Sequence, residues 1–272
     1  MTPRIDIILV NYNTRDELLA CLQSLHDAWP SAVANIVVVD NASTDDSVER
    51  VHDRFPKVGV IPLAENRGFG AANNVALRES RAEYVLFLNS DTLVPSGAID
   101  GLLERLRAHH AVAAGPKLLD AQGRPEVSFG SMLTPATELA QRLRVRMAAR
   151  TGAAARWYIE RRLSRERLVD WVSGACLLVH RESAIAAHGF DERYFLYEED
   201  VDLCAALRAR GGAILYTPLV QITHLRGRSA GQPRTHATRP SHYDRSHLAF
   251  YEKHAPHWTP WLRRWLRWRG RI

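Results

Sequence analysis

The chain has 272 residues, 46% hydrophobic and 24% charged, an ordinary balance for a globular protein with a sizeable core. No apolar run approaches the roughly 20 residues that span a bilayer, and the opening run Ile7-Ile8-Leu9-Val10, preceded by Asp6, is too short for a signal peptide, so a cytoplasmic chain is expected. The net charge of +6 is concentrated in two places: residues 131–170 hold nine arginines against four acids, and residues 257–272 hold five arginines and no acid, which favours surface docking over specific nucleic-acid reading.

Ile5–Val10 is apolar but for Asp6, the pattern of a strand buried on both faces. Thr14 and Glu17 read as a capping box for a helix carrying Leu18, Leu22, Leu25 and Trp29. Ile36–Val39 is a second strand, and Ser43 or Thr44 caps a helix bearing Val48, Val51 and Phe55. Val58–Ile61 and Tyr84–Leu88 are further strands around a helix at Ala71–Ser80. Another helix covers Ser96–His109. Repeated strand–helix units predict a doubly wound, mostly parallel α/β sheet. Such sheets bind ligands beyond the carboxyl ends of their strands. Three of those ends are polar: Asn11-Tyr12-Asn13, Asp40-Asn41 and Asn89-Ser90-Asp91. Together they outline a pocket rim.

Val112–Leu118 reads as a strand, the arginine-rich stretch 136–168 as helix, and Trp171–His180 as one strand. A helix over Val201–Arg210 stops at Gly211-Gly212. Ala213–Tyr216 and Val220–Thr223 read as two short strands. No linker divides the chain. The expected organisation is one unit over 1–256, with a nucleotide-binding half to about 115 and an acceptor half from 116, followed by a basic amphipathic tail over 257–272. Cys21, Cys176 and Cys204 show neither disulfide nor zinc spacing and read as buried thiols.

A carboxylate at a strand end is placed to bind a divalent cation, which can bridge nucleotide phosphates. Asp91 fits that role, or it caps the following turn. Asp40 is placed to accept from a base N–H. Asn66-Arg67-Gly68-Phe69-Gly70 precedes a helix and allows close approach of a phosphate or sugar, although one Gly-x-Gly is a weak signal. Adjacent acids over 198–202 repel one another, which raises the pKa of at least one and suits general-base work. A solvated helix start explains Glu199 and Asp202 equally well. His224 alone reads as a satisfied histidine at a strand end.

The segments "VNYN", "VVVDNASTDDS", "NRGFGAANN", "LFLNSDT", "GFDERYFLYEEDVDLCAALRARGG" and "ITHLRGRS" occur in this order. Together, over about residues 4–230, they resemble glycosyltransferase family 2, the inverting GT-A group. The likeness is strongest to bacterial rhamnosyltransferase-like members that build cell-surface polysaccharides. The resemblance implies a nucleotide- and sugar-binding set of Asn11, Asn13, Asp40, Asn66, Arg67, Gly68, Asn89 and Asp91. It implies Mn²⁺ or Mg²⁺ held by Asp91 and His224. It implies Asp200, beside Glu199, as the base that deprotonates an acceptor hydroxyl. Arg226 or Arg228 would steady the departing charge. Asn89 stands where the family's Asp-x-Asp motif has its first acid. The implied donor is a dTDP- or UDP-sugar, with dTDP-L-rhamnose favoured, and the implied acceptor is a polyprenyl-linked saccharide. A nucleotidyltransferase is the alternative enzyme, but "LVNYNTRDE" lacks the glycine- and basic-rich loop near the first strand. A non-catalytic nucleotide-sugar or nucleic-acid binder is the alternative outside enzymes.

In "HWTPWLRRWLRWRGRI", Thr259 can cap a helix and Pro260 suits its first turn. At 100° per residue, Trp261, Leu262, Trp265, Leu266 and Trp268 share one broad face opposite Arg263, Arg264, Arg267 and Arg271. This arrangement suits a helix lying on an anionic membrane. The same face could instead pack on the domain.

Overall fold

The computed structural model describes residues 4–148, 157, 160–225 and 239–272. Strand β1 (Ile5–Asn11) lies between β2 (Val33–Asp40) and β4 (Tyr84–Asn89), parallel to both, and β3 (Gly59–Pro62) extends the sheet beyond β2. On the other side of β4, β10 (Cys176–His180) runs antiparallel between β4 and β6 (Ala113–Leu119). The long β11 (Ile214–His224) follows, parallel to β6, and receives β5 (Thr92–Leu93) and β8 (Arg167–Val169) antiparallel. The path is β3-β2-β1-β4-β10-β6-β11-β5. A separate ribbon pairs β7 (Phe129–Gly130) with β9 (Trp171–Val172). This is the mostly parallel α/β sheet that the strand–helix alternation predicts.

The apolar runs are strands because each supplies two buried faces. In β1, Ile5, Ile7 and Leu9 join one core cluster while Ile8 joins the other. In β4, Leu86 and Leu88 go one way and Val85 and Phe87 the other. This is the period-two alternation of a pleated strand. Helices α1 (Arg15–Ala28), α2 (Ser47–Arg54) and α4 (Ala98–Ala108) cover the first face through Leu18, Leu22, Val51, Ile99 and Leu102. Helices α3 (Phe69–Glu79), α6 (Arg181–Ala186) and α7 (Glu199–Ala209) cover the second through Ala72, Leu77, Ala184, Leu203 and Leu207. Cys21, Cys176 and Cys204 are free and buried, as expected.

Several local expectations are revised. Trp29 falls just past α1 and is 47% exposed. Neither Thr14 nor Ser43 caps a helix through its side chain; the caps are Thr14 and Asp46 by position only. The Thr14 and Ser43 hydroxyls are engaged at the rim instead. The run Trp171–His180 breaks at 173–175 into β9 and β10. Conversely, Ile214–His224 is one strand with a register shift between Thr217 and Gln221. Pro218, which has no N–H to give a ladder, sits in that shift. The stretch 136–168 begins in helix α5 (Pro135–Ala148) and reaches β8 at Arg167.

A third cluster closes the C-terminal half. Helix α8 (Arg239–His254) leads through a 3₁₀ turn, Pro256–Trp258, into α9 (Thr259–Trp268). Leu262 and Leu266 of α9 are buried with Tyr194, Val201, Phe250 and Tyr251. Trp261 and Trp268 are 59% and 80% exposed. The broad tryptophan–leucine face therefore splits, with the leucines inward and these two tryptophans outward. Arg271 Nε reaches the buried Asp244 Oδ2 at 2.6 Å and ties the end of the chain to α8. Among the described residues, no helix is long and apolar enough to cross a membrane.

Candidate functional site

The polar ends of β1, β2 and β4 meet at one edge of the sheet. β1 and β2 pair in register up to Asn11 opposite Asp40. Asn11 Nδ2 donates to Asp40 Oδ1 at 2.8 Å and to Ser43 Oγ at 3.0 Å. The Ser43 N–H donates to Asp40 Oδ2 at 2.9 Å. Asp40 is thus a buried carboxylate held from both sides. Asn13, in a left-handed conformation (φ 53°), gives its N–H to Ser43 Oγ and accepts from the Thr44 N–H. Thr14 Oγ1 donates to Asn11 Oδ1 at 2.8 Å and lies 3.0 Å from Ser90 Oγ, linking this rim to the end of β4.

The glycine-bearing loop is fastened to the same rim through Asn41. Asn41 Nδ2 donates to Asn66 Oδ1 and to the Gly68 carbonyl, and its Oδ1 accepts the Arg67 N–H. Gly68 has φ 85° and ψ 172°, a region essentially reserved for glycine. A Cβ there would sit 2.3 Å from the Phe195 carbonyl oxygen. The Arg67 backbone joins the rim, whereas its guanidinium turns outward to Glu192 at 3.2 Å.

Asp91 is almost fully buried, and His224 Nε2 lies 3.2 Å from its Oδ1. The antiparallel pairing of β5 with β11 brings them together, with His224 opposite Thr92. The Leu225 N–H also donates to the Asp91 carbonyl at 2.9 Å. Asn89 Nδ2 is 3.4 Å from His224 Nε2. The other ring nitrogen, Nδ1, faces Glu126 Oε2 at 3.4 Å. Burial opposes a charge on His224, but Asp91 and Glu126 outweigh it and push the histidine up to about 9. No group of three or more His, Cys, Asp or Glu is gathered for an ion among the described residues. Asp91 and His224 still fit a divalent cation, because a hard cation on a nucleotide needs one or two protein ligands and completes its shell with phosphate oxygens and water. Glu126 on the far nitrogen directs Nε2 toward that place.

Asp200 enters from the first turn of α7. Its Oδ2 accepts the Gly174 N–H at 2.7 Å and its Oδ1 accepts the Val201 N–H at 2.8 Å. The residue after Gly174, Ala175, accepts the Asn89 N–H at 3.0 Å. The break between β9 and β10 thus joins Asp200 to the end of β4. Burial raises Asp200 above the usual carboxylate range, and the Gly174 N–H only partly opposes it. Glu199 is buried, with Oε2 lacking a hydrogen-bond partner. Burial and then neighbouring Asp200 push it well above the ordinary value. Asp202 belongs to a different network, accepting from Tyr194 Oη and Lys253 Nζ and contacting His254.

Sequence patterns bring forward Asn11, Asp40, Asn89 and Asp91, and the family resemblance adds Asp200; the structure joins the ends of their elements at one edge. The patterns place Asn41 on the rim without its role as the loop's anchor, read Ser43 as a helix cap, and miss Glu126. Asn41 and Ser43 lie inside the quoted "VVVDNASTDDS" and were legible as polar residues after a strand. Glu126 carries no local signal. Arg226 and Arg228 lie outside the described residues.

The glycosyl transferase family 2 model matches residues 6–183. An N-acetylglucosaminyl-diphospho-decaprenol L-rhamnosyltransferase of Mycobacterium tuberculosis is 31% identical over 98% of this chain and 90% of its own length. Among solved structures, GalNAc-T7 with UDP, GalNAc and Mn²⁺ aligns with a TM-score of 0.67 at 15% identity, over 92% of this chain. The mannosyltransferase PcManGT from Pyrobaculum calidifontis, with GDP-Man and Mn²⁺, aligns with a TM-score of 0.61 at 19% identity, over 97% of this chain. This chain spans 48% of the first of those chains and 69% of the second. Both structures share the GT-A fold with it. The chain belongs to glycosyl transferase family 2, as its ordered motifs imply.

Proposed function

We propose that this glycosyltransferase is inverting and metal-dependent, and that it moves L-rhamnose from dTDP-L-rhamnose to a hydroxyl of a polyprenyl-diphosphate-linked saccharide in cell-surface polysaccharide synthesis. The observation that carries this reading is the bridge from the Asn89–Asp91 strand end to Asp200 through residues 174–175. It links Asp91's strand end to Asp200 on one small framework, which supports reading the first as a cation-binding carboxylate and the second as a base. The M. tuberculosis relative, whose name gives both the sugar and the lipid-linked acceptor, supports the substrate class.

In this reading Asp40 accepts the base N–H, since each of its oxygens keeps a second lone pair beyond the bonds from Asn11 and Ser43. Asn11, Asn13 and the backbone of Asn66, Arg67 and Gly68 shape the nucleoside and sugar pocket. Asp91 and His224 would hold a divalent cation, Mn²⁺ or Mg²⁺, with Asn89 beside them. When bound, the cation neutralises charge on the departing diphosphate. Asp200 takes the proton from the acceptor hydroxyl, and that oxygen attacks the anomeric carbon. The bond from this carbon to the diphosphate oxygen breaks on the opposite face, so the configuration inverts. The elevated pKa of Asp200 makes it a stronger base than an exposed aspartate. The exposed Trp261 and Trp268, beside Arg264 and Arg267, support contact with an anionic membrane where a lipid-linked acceptor resides.

The test is transfer from dTDP-L-rhamnose, UDP-glucose, UDP-galactose and GDP-mannose to a short-chain polyprenyl-diphosphate N-acetylglucosamine, with Mn²⁺ and with EDTA. Metal-dependent rhamnosylation with inverted linkage is expected. Transfer of another sugar would replace the donor assignment, and full activity in EDTA would overturn the metal reading.

A further inference from the structure

The segment feeding α7 is unusual. Tyr197 and Glu198 are consecutive non-glycine residues with φ of 73° and 69°. Each such residue costs of order 1–3 kcal/mol and persists only where its surroundings over-determine it. Helix α8 supplies those surroundings. Phe195 stacks on His242 at 4.7 Å between ring centroids. The Leu196 carbonyl accepts Ser246 Oγ at 2.9 Å. Tyr197 meets Tyr243 edge-on at 5.7 Å. Glu198 Oε1 lies 3.0 Å from His247 Nδ1. Four consecutive residues are thus gripped from two adjacent rows of one helix.

His247 is the deepest of these contacts. Its other nitrogen, Nε2, lies 3.2 Å from Glu138 Oε1 on α5. Glu138 also accepts Tyr251 Oη, and the Tyr243 ring stacks on the imidazole at 5.3 Å. Ionised carboxylates only accept, so two of them on opposite nitrogens call for two N–H donors. We propose that His247 is a positioning residue: its doubly protonated ring ties Glu198, at the left-handed start of α7, to Glu138 and so fixes where Asp200 is presented. The charged and titratable groups around it are Glu138 and Arg142 from α5, Glu198 from the cap, and Tyr243 and Tyr251 from α8. Burial opposes the charge on His247, but Glu138 and Glu198 outweigh it and hold the group up to about 9. The inference rests on the reading of Asp200 as the base. It adds a residue that no motif of the sequence singles out, on a helix far from the catalytic turn in the chain.

The experiment has two arms on the full chain. In the first, ¹⁵N-histidine spectra of the wild-type protein at pH 7.5 should show, besides His224, an imidazole protonated at both nitrogens that is lost in His247→Gln. A neutral His247 would overturn the proposal without any variant having to fold. In the second, steady-state kinetics of His247→Gln and Asp200→Asn are compared. A misplaced base predicts that kcat falls about 10–100-fold in His247→Gln, with the donor KM unchanged and partial recovery in Glu198→Gln/His247→Gln. Wild-type kcat in a folded His247→Gln protein, with Asp200→Asn inactive, would overturn this inference alone. An active Asp200→Asn would overturn the base assignment and the inference with it.

Discussion

The Gly174 N–H donates to Asp200 Oδ2 at 2.7 Å, and the same short segment holds the end of β4 through Ala175. This fixes the carboxylate in direction as well as place. A Cβ on Gly174 would lie 3.1 Å from Asp200 Cβ and 3.4 Å from Oδ2. Gly174→Ala should therefore shift Asp200 by a few tenths of an ångström while leaving the fold intact. Its kcat should fall about 10-fold, less than the ~10²–10⁴-fold loss expected when Asp200→Asn removes the base. Stopped-point assays with both variants check the order. A Gly174→Ala enzyme as fast as wild type would show that this bond does not orient the base.

The pH dependence follows from the environment of Asp200. Burial raises its pKa, and the negative charge of Glu198 adds to the rise. A base works only when deprotonated, so with Asp200 as the proposed base kcat/KM should climb with pH through its folded pKa, above the ordinary aspartate value of ~3.9. Glu198→Gln removes the neighbouring charge and should move the rising limb to lower pH. A limb that stays in place would mean that another group controls it.

The sequence makes the candidate site's edge legible where chemistry and secondary structure coincide. Largely apolar runs ending in Asn11, Asp40 and Asn89, set between helical periods, read as buried strands that deliver polar groups to one rim. Residues whose partners come from distant elements are not legible in this way. Glu126 reaches His224 from 98 residues away, and His247 reaches Glu198 from 49. The apolar pattern of Trp171–His180 likewise hides the break at 173–175, because Gly174 and Ala175 interrupt no hydrophobic period. Thr14 and Ser43 looked like helix caps because serine and threonine serve both tasks. Here the competing partners, Asn11 and Asn13, win their hydrogen bonds.

In the proposed metal site, affinity should respond to Glu126, which faces the other nitrogen of His224. Glu126 holds His224 Nδ1, leaving Nε2 toward Asp91. Loss of such an outer partner commonly weakens a site about 10–100-fold. Titration of Mn²⁺ in the presence of dTDP, followed by electron paramagnetic resonance, should show Glu126→Gln weakened in that range and Asp91→Ala without specific binding. Wild-type affinity in Glu126→Gln would remove the orienting role. Unchanged affinity in Asp91→Ala would remove the site.

Gly68 is required by both its backbone conformation and its closeness to Phe195. The backbone conformation alone costs a side-chain-bearing residue about 1–3 kcal/mol. The clash is with a carbonyl oxygen and cannot be relieved by a rotamer change. The Phe69 N–H donates to that same carbonyl at 3.0 Å, so relief would separate the loop at 66–70 from the segment that precedes α7. Gly68→Ala should lower the thermal midpoint and raise the donor KM together. A variant with wild-type midpoint and KM would show that the two loops move independently.

The split face of α9 separates packing from membrane contact. Leu266 is 1% exposed, beside Tyr194 and Phe250 in the third core cluster. Leu266→Ala should cost about 2–5 kcal/mol of stability. Trp261 and Trp268 point outward, so replacing both by serine should leave the unfolding midpoint nearly unchanged, as surface substitutions do. If these rings enter the headgroup region, the double variant should lose sedimentation with anionic vesicles while retaining turnover of a short-chain, water-soluble acceptor. Removing everything after His257 cannot make this distinction, because it deletes Leu262, Leu266 and the Arg271–Asp244 pair as well as the tryptophans. Vesicle binding that survives the double serine variant would assign α9 to packing alone.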